Sequence, residues 1–297
     1  MLLIRKTSAA NAASGGRIEE KNVKWRAALK RNKLAYVGAC IVLIVAGAAA
    51  LADSIATHPP VAMDLQHRFA PPSRTHLLGT DRFGRDLYSR LLYGTRASLL
   101  MGCVSTFCSA CIGSLLGVFG GLRGGWFDSL LMKGVDILMA LPSLLLGMLL
   151  VAVLGPGQNK VMIAIGLALL PRFIRVARAP VLSLREAAYV EAARAIGAGE
   201  VRVALVHIIP NVLGTVIVAV ALWLSTALRL EASLGFLGFG VQEPDPSLGL
   251  MVSDGLKSLL HAPHASFVPG VLIAILVLGF NLIGDGLRDV LDPKLGA

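Results

Sequence analysis

Six stretches of about 20 predominantly apolar residues run through this chain, each long enough to cross the hydrocarbon core of a bilayer. They fall at about 34–52, 96–120, 130–154, 160–177, 210–230 and 268–287. Lipid offers no water to satisfy backbone N–H and C=O groups, so each stretch must form a helix. The sequence therefore predicts an all-α integral membrane protein with six transmembrane helices. Its composition agrees: 55% of the 297 residues are hydrophobic and only 15% are charged. Soluble domains carry about a quarter charged residues.

The net charge of +10 is concentrated between the apolar runs. One block is the arm before the first run, with Arg5, Lys6, Arg17, Lys21, Lys24, Arg26, Lys30, Arg31 and Lys33. Another follows the fourth run, with Arg172, Arg175, Arg178, Arg185, Arg194 and Arg202. With six spans, both blocks lie on one side of the membrane. The positive-inside rule makes that side cytoplasmic, and with it both termini. The basic residues are not interleaved with aromatics on a soluble fold, so nucleic acid is excluded as a partner. Ala50-Leu51-Ala52 has the small residues of a cleavage site. The charged lead is longer than a signal peptide's, however, and an uncleaved anchor is expected.

Cys103, Cys108 and Cys111 lie inside the second run and are read as small helix-packing residues. No disulfide is expected. Pro142 and Pro171 mark kinks or boundaries. His261 and His264 are two imidazoles with no third ligand nearby in sequence, so no metal site is predicted. No G-x-x-x-x-G-K-[ST] phosphate loop is present. The nearest stretch, Gly155-Pro-Gly-Gln-Asn-Lys160, has the wrong spacing and reads as an external turn.

The loop between the fourth and fifth runs is the most informative polar segment. Ala188, Glu191 and Ala192 share a helical face, and Ala193 stacks on Gly197 four residues on. Small residues let another surface approach the backbone, and Glu191 offers a carboxylate to a basic partner. Pro210 suits the first turn of the fifth helix. On the residues alone, a docking handle and a solvated hairpin both fit.

The segment Glu191-Ala-Ala-x-x-x-Gly197, followed by His207-Ile-Ile-Pro210, resembles the EAA loop of ATP-binding-cassette importer permeases. His207 departs from the aliphatic residue usual there. Arg31-Asn-Lys-Leu-Ala35, His76-Leu-Leu-Gly-Thr-Asp81 with Gly84-Arg-Asp86, and Glu231-Ala-Ser-Leu-Gly-Phe-Leu-Gly238 are similar to the second permease subunit of dipeptide/oligopeptide/nickel importers. So are Pro244-x-Pro-Ser247 and Asn281-Leu-Ile-Gly-Asp-Gly-Leu-Arg288. The resemblance implies a type I importer permease fold. It implies a non-catalytic subunit forming half the translocation pathway for di-/oligopeptides or similar small peptides, in a bacterial inner membrane. The implied partners are a second homologous permease, two ATPase subunits that bind the ATP and Mg, and a periplasmic or lipid-anchored substrate-binding protein. No cofactor is expected in this chain.

On the same basis Glu191, Ala192, Ala193, Arg194, Gly197 and Pro210 are the residues expected to couple to the ATPases. Asp136, Arg229 and Glu231 are charges at membrane depth, expected to face the pathway or another subunit because lipid penalises them. The expected organisation is a basic arm (1–33), an anchor helix (34–53), a periplasmic segment (54–94), a permease core (95–289) with its coupling loop at about 184–210, and a cytoplasmic tail (290–297). The periplasmic segment is expected to dock the binding protein or the partner permease. Nickel or another peptide-like solute is the alternative cargo. An ATP-independent secondary carrier is the remaining reading, although no internal repeat supports it.

Overall fold

A computed structural model describes residues 33–291. The basic arm, apart from Lys33, and the end of the tail lie outside the described residues. The described chain is helical, with no named strand and one isolated antiparallel bridge between Thr80 and Asp86. The main helices are α1 (Lys33–Ala50), α2 (Leu87–Arg123), α3 (Gly125–Ala140), α4 (Ser143–Leu154), α5 (Gln158–Leu184), α6 (Ala188–Ala195), α7 (Ile209–Phe236), α8 (Leu248–Leu256) and α9 (His264–Leu291).

Four helical stretches among the described residues are long and apolar enough to cross a membrane: Lys33–Ala50, Leu87–Arg123, Glu200–Phe236 and His264–Val290. A fifth crossing exists if α3 and α4 are one broken span, since they meet at 95°. The predicted run 130–154 is therefore not one straight helix. Pro142 clashes with a helical residue before it, so Leu141 is extended (φ −89°, ψ 136°) and the helix breaks there. The fourth predicted run became α5, which continues into an arginine-bearing half and is less uniformly apolar than the others.

The packing axis of the fold is α2 against α5. Gly113, Gly117 and Gly121 line one face of α2, and α5 lies directly on them. A Cβ on Gly117 would sit 2.4 Å from the Ile174 carbonyl oxygen, so only glycine permits this approach. Ser105 Oγ donates to the Met162 carbonyl at 2.8 Å and Ser109 Oγ to the Gly166 carbonyl at 2.6 Å. Close backbones and hydroxyl cross-bonds hold helices together where the lipid removes any hydrophobic drive to associate. The serines and glycines do this packing. Cys103, Cys108 and Cys111 are exposed, which corrects their expected packing role.

At the start of α2, Asp86 caps the helix: its Oδ2 accepts from Ser89 N at 2.8 Å. This stabilised end lets the helix begin at Leu87, well before the apolar run. With 37 residues, α2 is about 55 Å long. It separates two polar ends of the bundle, one built from 56–86 and 241–263, the other from the loop between α5 and α7.

Candidate functional site

The α5–α7 loop is built outward from α5. Arg172 Nη2 donates to Ser143 Oγ at 2.7 Å, and Arg175 Nη2 to Asp136 Oδ1 at 2.6 Å. Arg178 makes a two-pronged pair with Asp128, and Arg185 Nη1 donates to the Gly121 carbonyl at 3.0 Å. These arginines tie α5 to α4, α3 and the end of α2 in turn. Residues read from sequence as topology signals are also mechanical ties. Asp136 is thereby placed: it faces Arg175 of its own chain, instead of having only a pathway or another subunit to face.

After α5 the chain turns into α6. Glu191 lies in its first turn and Arg194 in its last, each favourable with the helix dipole. Val190 is buried in the main core and Ala193 is buried beside it on the helix, while Ala188, Glu191 and Ala192 are exposed. Ala193 thus packs inward and does not present itself to a partner, a correction to the expected pairing of Ala193 with Gly197 on one docking face. Gly197 ends the helix at φ 90°, its N–H donating to the Arg194 carbonyl at 2.9 Å. The Ala198 N–H reaches the Ala193 carbonyl at 3.0 Å. This pair of bonds is a Schellman closure, which glycine makes at least cost. Arg194 is also used internally. Its Nε and Nη2 donate to the two carboxylate oxygens of Glu200 at 2.9 and 3.1 Å.

Pro210 is not at a free helix start. Glu200–Phe236 runs on as one long helical stretch, with a π turn at Ala204–Ile208 just before the proline. The Ile209 N–H bonds to the Ala204 carbonyl, five residues back. A proline lacks its N–H and crowds the carbonyl four residues back, and the wider turn accommodates both. What remains on the surface is an apolar patch: Tyr189, Ile196, Val201, Leu205 and Val206 are all exposed, Ile196 at 87%. Beside it Glu191 makes no ion pair or side-chain hydrogen bond among the described residues. An exposed apolar surface beside a carboxylate with no partner among the described residues has the chemistry of a protein-docking surface.

Within α7, Arg229 is exposed and donates to Thr226 Oγ1 at 3.1 Å. It meets no carboxylate among the described residues. Glu231 is 1% exposed, beside Ser98 and Ser247. It therefore lines no open surface of this chain, against the expectation that it faces the pathway or a neighbour.

The opposite end holds an ionic network that sequence reasoning missed. Asp81 accepts Arg85 Nε at 2.6 Å and the backbone N–H groups of Phe83 and Arg85. Arg82 bridges Glu243 at 2.9 Å and Asp254 at 3.1 Å, and Lys257 meets Asp254 at 3.1 Å. Arg90 Nη1 donates to the Pro60 and Pro244 carbonyls. The guanidinium groups of Arg82 and Arg85 each lie 4.5 Å from the Phe83 ring centre. Burial works to raise the Glu243 carboxyl, but Arg82 and Arg85 hold it below its usual range. Burial raises the Asp254 carboxyl, and its hydrogen bond with Glu243 adds to this. The network fastens the 56–86 segment to the loop after α7. His261 stacks on Phe69 and His264 begins α9 against Gly79, so these two histidines do not form a joint site.

These features define a polytopic helical membrane protein with an exposed apolar loop surface at one end and a clamped polar cap at the other. Residues 113–297 match the family described as "Binding-protein-dependent transport system inner membrane component", and the chain belongs to that family of transport permeases. Residues 24–72 match the N-terminal TM domain of oligopeptide transport permease C. The chain is 39% identical over 296 residues to the probable D,D-dipeptide transport system permease protein DdpC of Escherichia coli K12, covering 100% of this chain and 99% of that one. It is 42% identical to the dipeptide transport system permease protein DppC of Alkalihalophilus pseudofirmus, over 91% of this chain and 90% of the relative. With the oligopeptide transport system permease protein OppC of Bacillus subtilis it shares 39% identity, over 97% and 96% of the two chains. The protein is a multi-pass component of a bacterial inner membrane.

Proposed function

We propose that this chain is the non-catalytic permease subunit of an ATP-driven importer, forming half of a translocation pathway for di-/oligopeptides or similar small peptides. In this reading α1, α2, the bent α3–α4 pair, α5, α7 and α9 are six crossings, and both termini are cytoplasmic. A second homologous permease completes the pathway. Two ATPase subunits bind ATP and Mg and dock on the α6 surfaces. A periplasmic or lipid-anchored binding protein delivers cargo to the capped end.

The observation that carries the reading is the α6 surface: exposed Ile196 and Tyr189 beside Glu191, which has no side-chain partner among the described residues, at the end of the arginine-tied α5. A push on α6 reaches α5 through the short Arg185–Ala187 link. The four arginines pass it to α3, α4 and α2, so a docking event can move the bent pair as a unit. Ala188, Glu191 and Ala192 make the contact. Ala193, Arg194 and Gly197 hold α6 in shape, and Pro210 fixes its connection to α7. Relatives named as dipeptide and oligopeptide permeases support peptide as cargo.

The test is uptake by proteoliposomes carrying the complete transporter, with labelled di- and oligopeptides and, separately, nickel. ATP-dependent peptide uptake is expected. Nickel uptake alone would overturn the cargo, and peptide uptake indifferent to ATP would restore the secondary carrier.

A further inference from the structure

We propose that His58, His76 and Asp86 form a binding site for a late first-row divalent metal ion, Zn²⁺ above all, at the head of α2. Their ligand atoms all lie within 4.8 Å of one another. His76 Nδ1 is 3.0 Å and His58 Nδ1 3.9 Å from the same oxygen, Asp86 Oδ1. Zinc bonds of about 2.0–2.2 Å at tetrahedral angles put neighbouring ligand atoms about 3.4 Å apart. The two separations from Asp86 bracket that edge, and the third, between the two imidazoles, is no more than 4.8 Å, so side-chain adjustment of about an ångström would close the site.

The site is built as a metal site needs. Asp86 Oδ2 is occupied by three donors: Ser89 N at 2.8 Å, Ser89 Oγ at 2.7 Å and Thr57 Oγ1 at 3.1 Å. They fix the carboxylate and leave Oδ1 to the imidazoles, the outer-shell arrangement that orients ligands. His58 is held by its own N–H, which donates to Ser89 Oγ at 3.1 Å, and His76 by its N–H to Ser73 Oγ at 3.0 Å. The two rings stack with centres 4.7 Å apart.

The ligand types choose the ion. Two imidazoles and one carboxylate suit Zn²⁺, Ni²⁺ or Cu²⁺, while Mg²⁺ and Ca²⁺ ask for oxygen alone. Three protein ligands leave a fourth position open, for water or a donor from a docked protein. Binding would join the 57–76 stretch to the first turn of α2. This inference stands apart from the cargo reading, because the site rests on the fold of this chain.

The experiment uses the full-length chain, free of any histidine tag, in its purified membrane complex. Zn²⁺ is titrated in competition with a chromophoric chelator. Binding of one ion per copy of this chain is expected, weakened at least about tenfold to hundredfold in His58→Gln, since the loss of an outer-shell partner already costs that much. His58 is the half-exposed ligand, so its replacement leaves the fold in place. His261→Gln serves as the control and is expected to bind as the parent does. Co²⁺ in place of Zn²⁺ should give the visible absorption of a four-coordinate ion, lost in His58→Gln. Absence of binding, equal affinity in His58→Gln, or loss confined to His261→Gln would each overturn the proposal.

Discussion

Replacing Arg85 by Met should release the polar cap without disturbing the coupling loop. The Arg85 side chain is fully buried. It pairs with Asp81 at 2.6 Å and stands 3.6 Å from Glu243 and 3.9 Å from Asp254. It also sees two like charges, Arg82 and Arg90. Three attractions against two repulsions leave about one pair's worth. At the effective dielectric constant of such sites a pair about 4 Å apart is worth about 4 kcal/mol. Breaking a buried pair by removing one partner costs about 3–5 kcal/mol, the same range. Methionine keeps much of the apolar stem's volume and loses the guanidinium, with its contacts to the carboxylates and to the Phe83 ring, so the loss is electrostatic.

A drop of that size lowers the free energy of local opening. Each 1.4 kcal/mol is about a factor of ten, so amide hydrogen exchange in peptides covering 80–90 should speed up by about a hundredfold to a few thousandfold. Peptides covering 188–206, at the other end of α2, should exchange at the parental rate. Unchanged exchange in 80–90 would refute the network's role, and equal acceleration at both ends would show global loosening instead.

Three further outcomes are expected. Gly197→Ala should cost about 1–2 kcal/mol, because nothing crowds the new Cβ and only the positive φ opposes it; fraying of α6, read as faster exchange over 188–198, checks it. Gly117→Leu should prevent accumulation of folded protein, since even a Cβ there would overlap the Ile174 carbonyl, and normal yield with intact size-exclusion behaviour would contradict the α2–α5 packing. Asp86 sits below its ordinary value of 3.8, so the folded chain binds its proton less readily than the unfolded one. Its stabilisation is full above 3.8 and disappears as pH falls through the lower folded value; the gap in Tm between parent and Asp86→Asn should hold from neutral pH down and then close, and a gap independent of pH would count against it.

The spans were legible because lipid imposes one answer on a long apolar run. Their details were set by features that hydropathy does not weigh. The break at Leu141–Pro142 lies inside a continuous apolar stretch, and the start of α2 depends on one capping carboxylate. In the coupling loop the residue types were readable but their directions were not. Ala192 and Ala193 are equivalent in composition, yet one is exposed and the other is buried beside Val190. Arg194, expected from sequence to meet the ATPases, pairs with Glu200 of its own loop. The capped end was hidden for a different reason: Arg82 and Glu243 are 161 residues apart, and only the packing of α2 against α7 and α8 brings them together. His58, His76 and Asp86 come from three places in the same segment, with spacings that match no metal-binding pattern.

The central claim is that α6 passes the work of ATP hydrolysis to this chain. It is tested most directly by the ATPase rate of the reconstituted complete transporter, with and without loaded binding protein, for the parent and for Glu191→Ala. Glu191 is exposed and has no side-chain partner among the described residues, so its loss should leave assembly and fold intact. The account predicts that stimulation by loaded binding protein collapses in Glu191→Ala, and peptide uptake with it. Full stimulation and full uptake in that variant would contradict it.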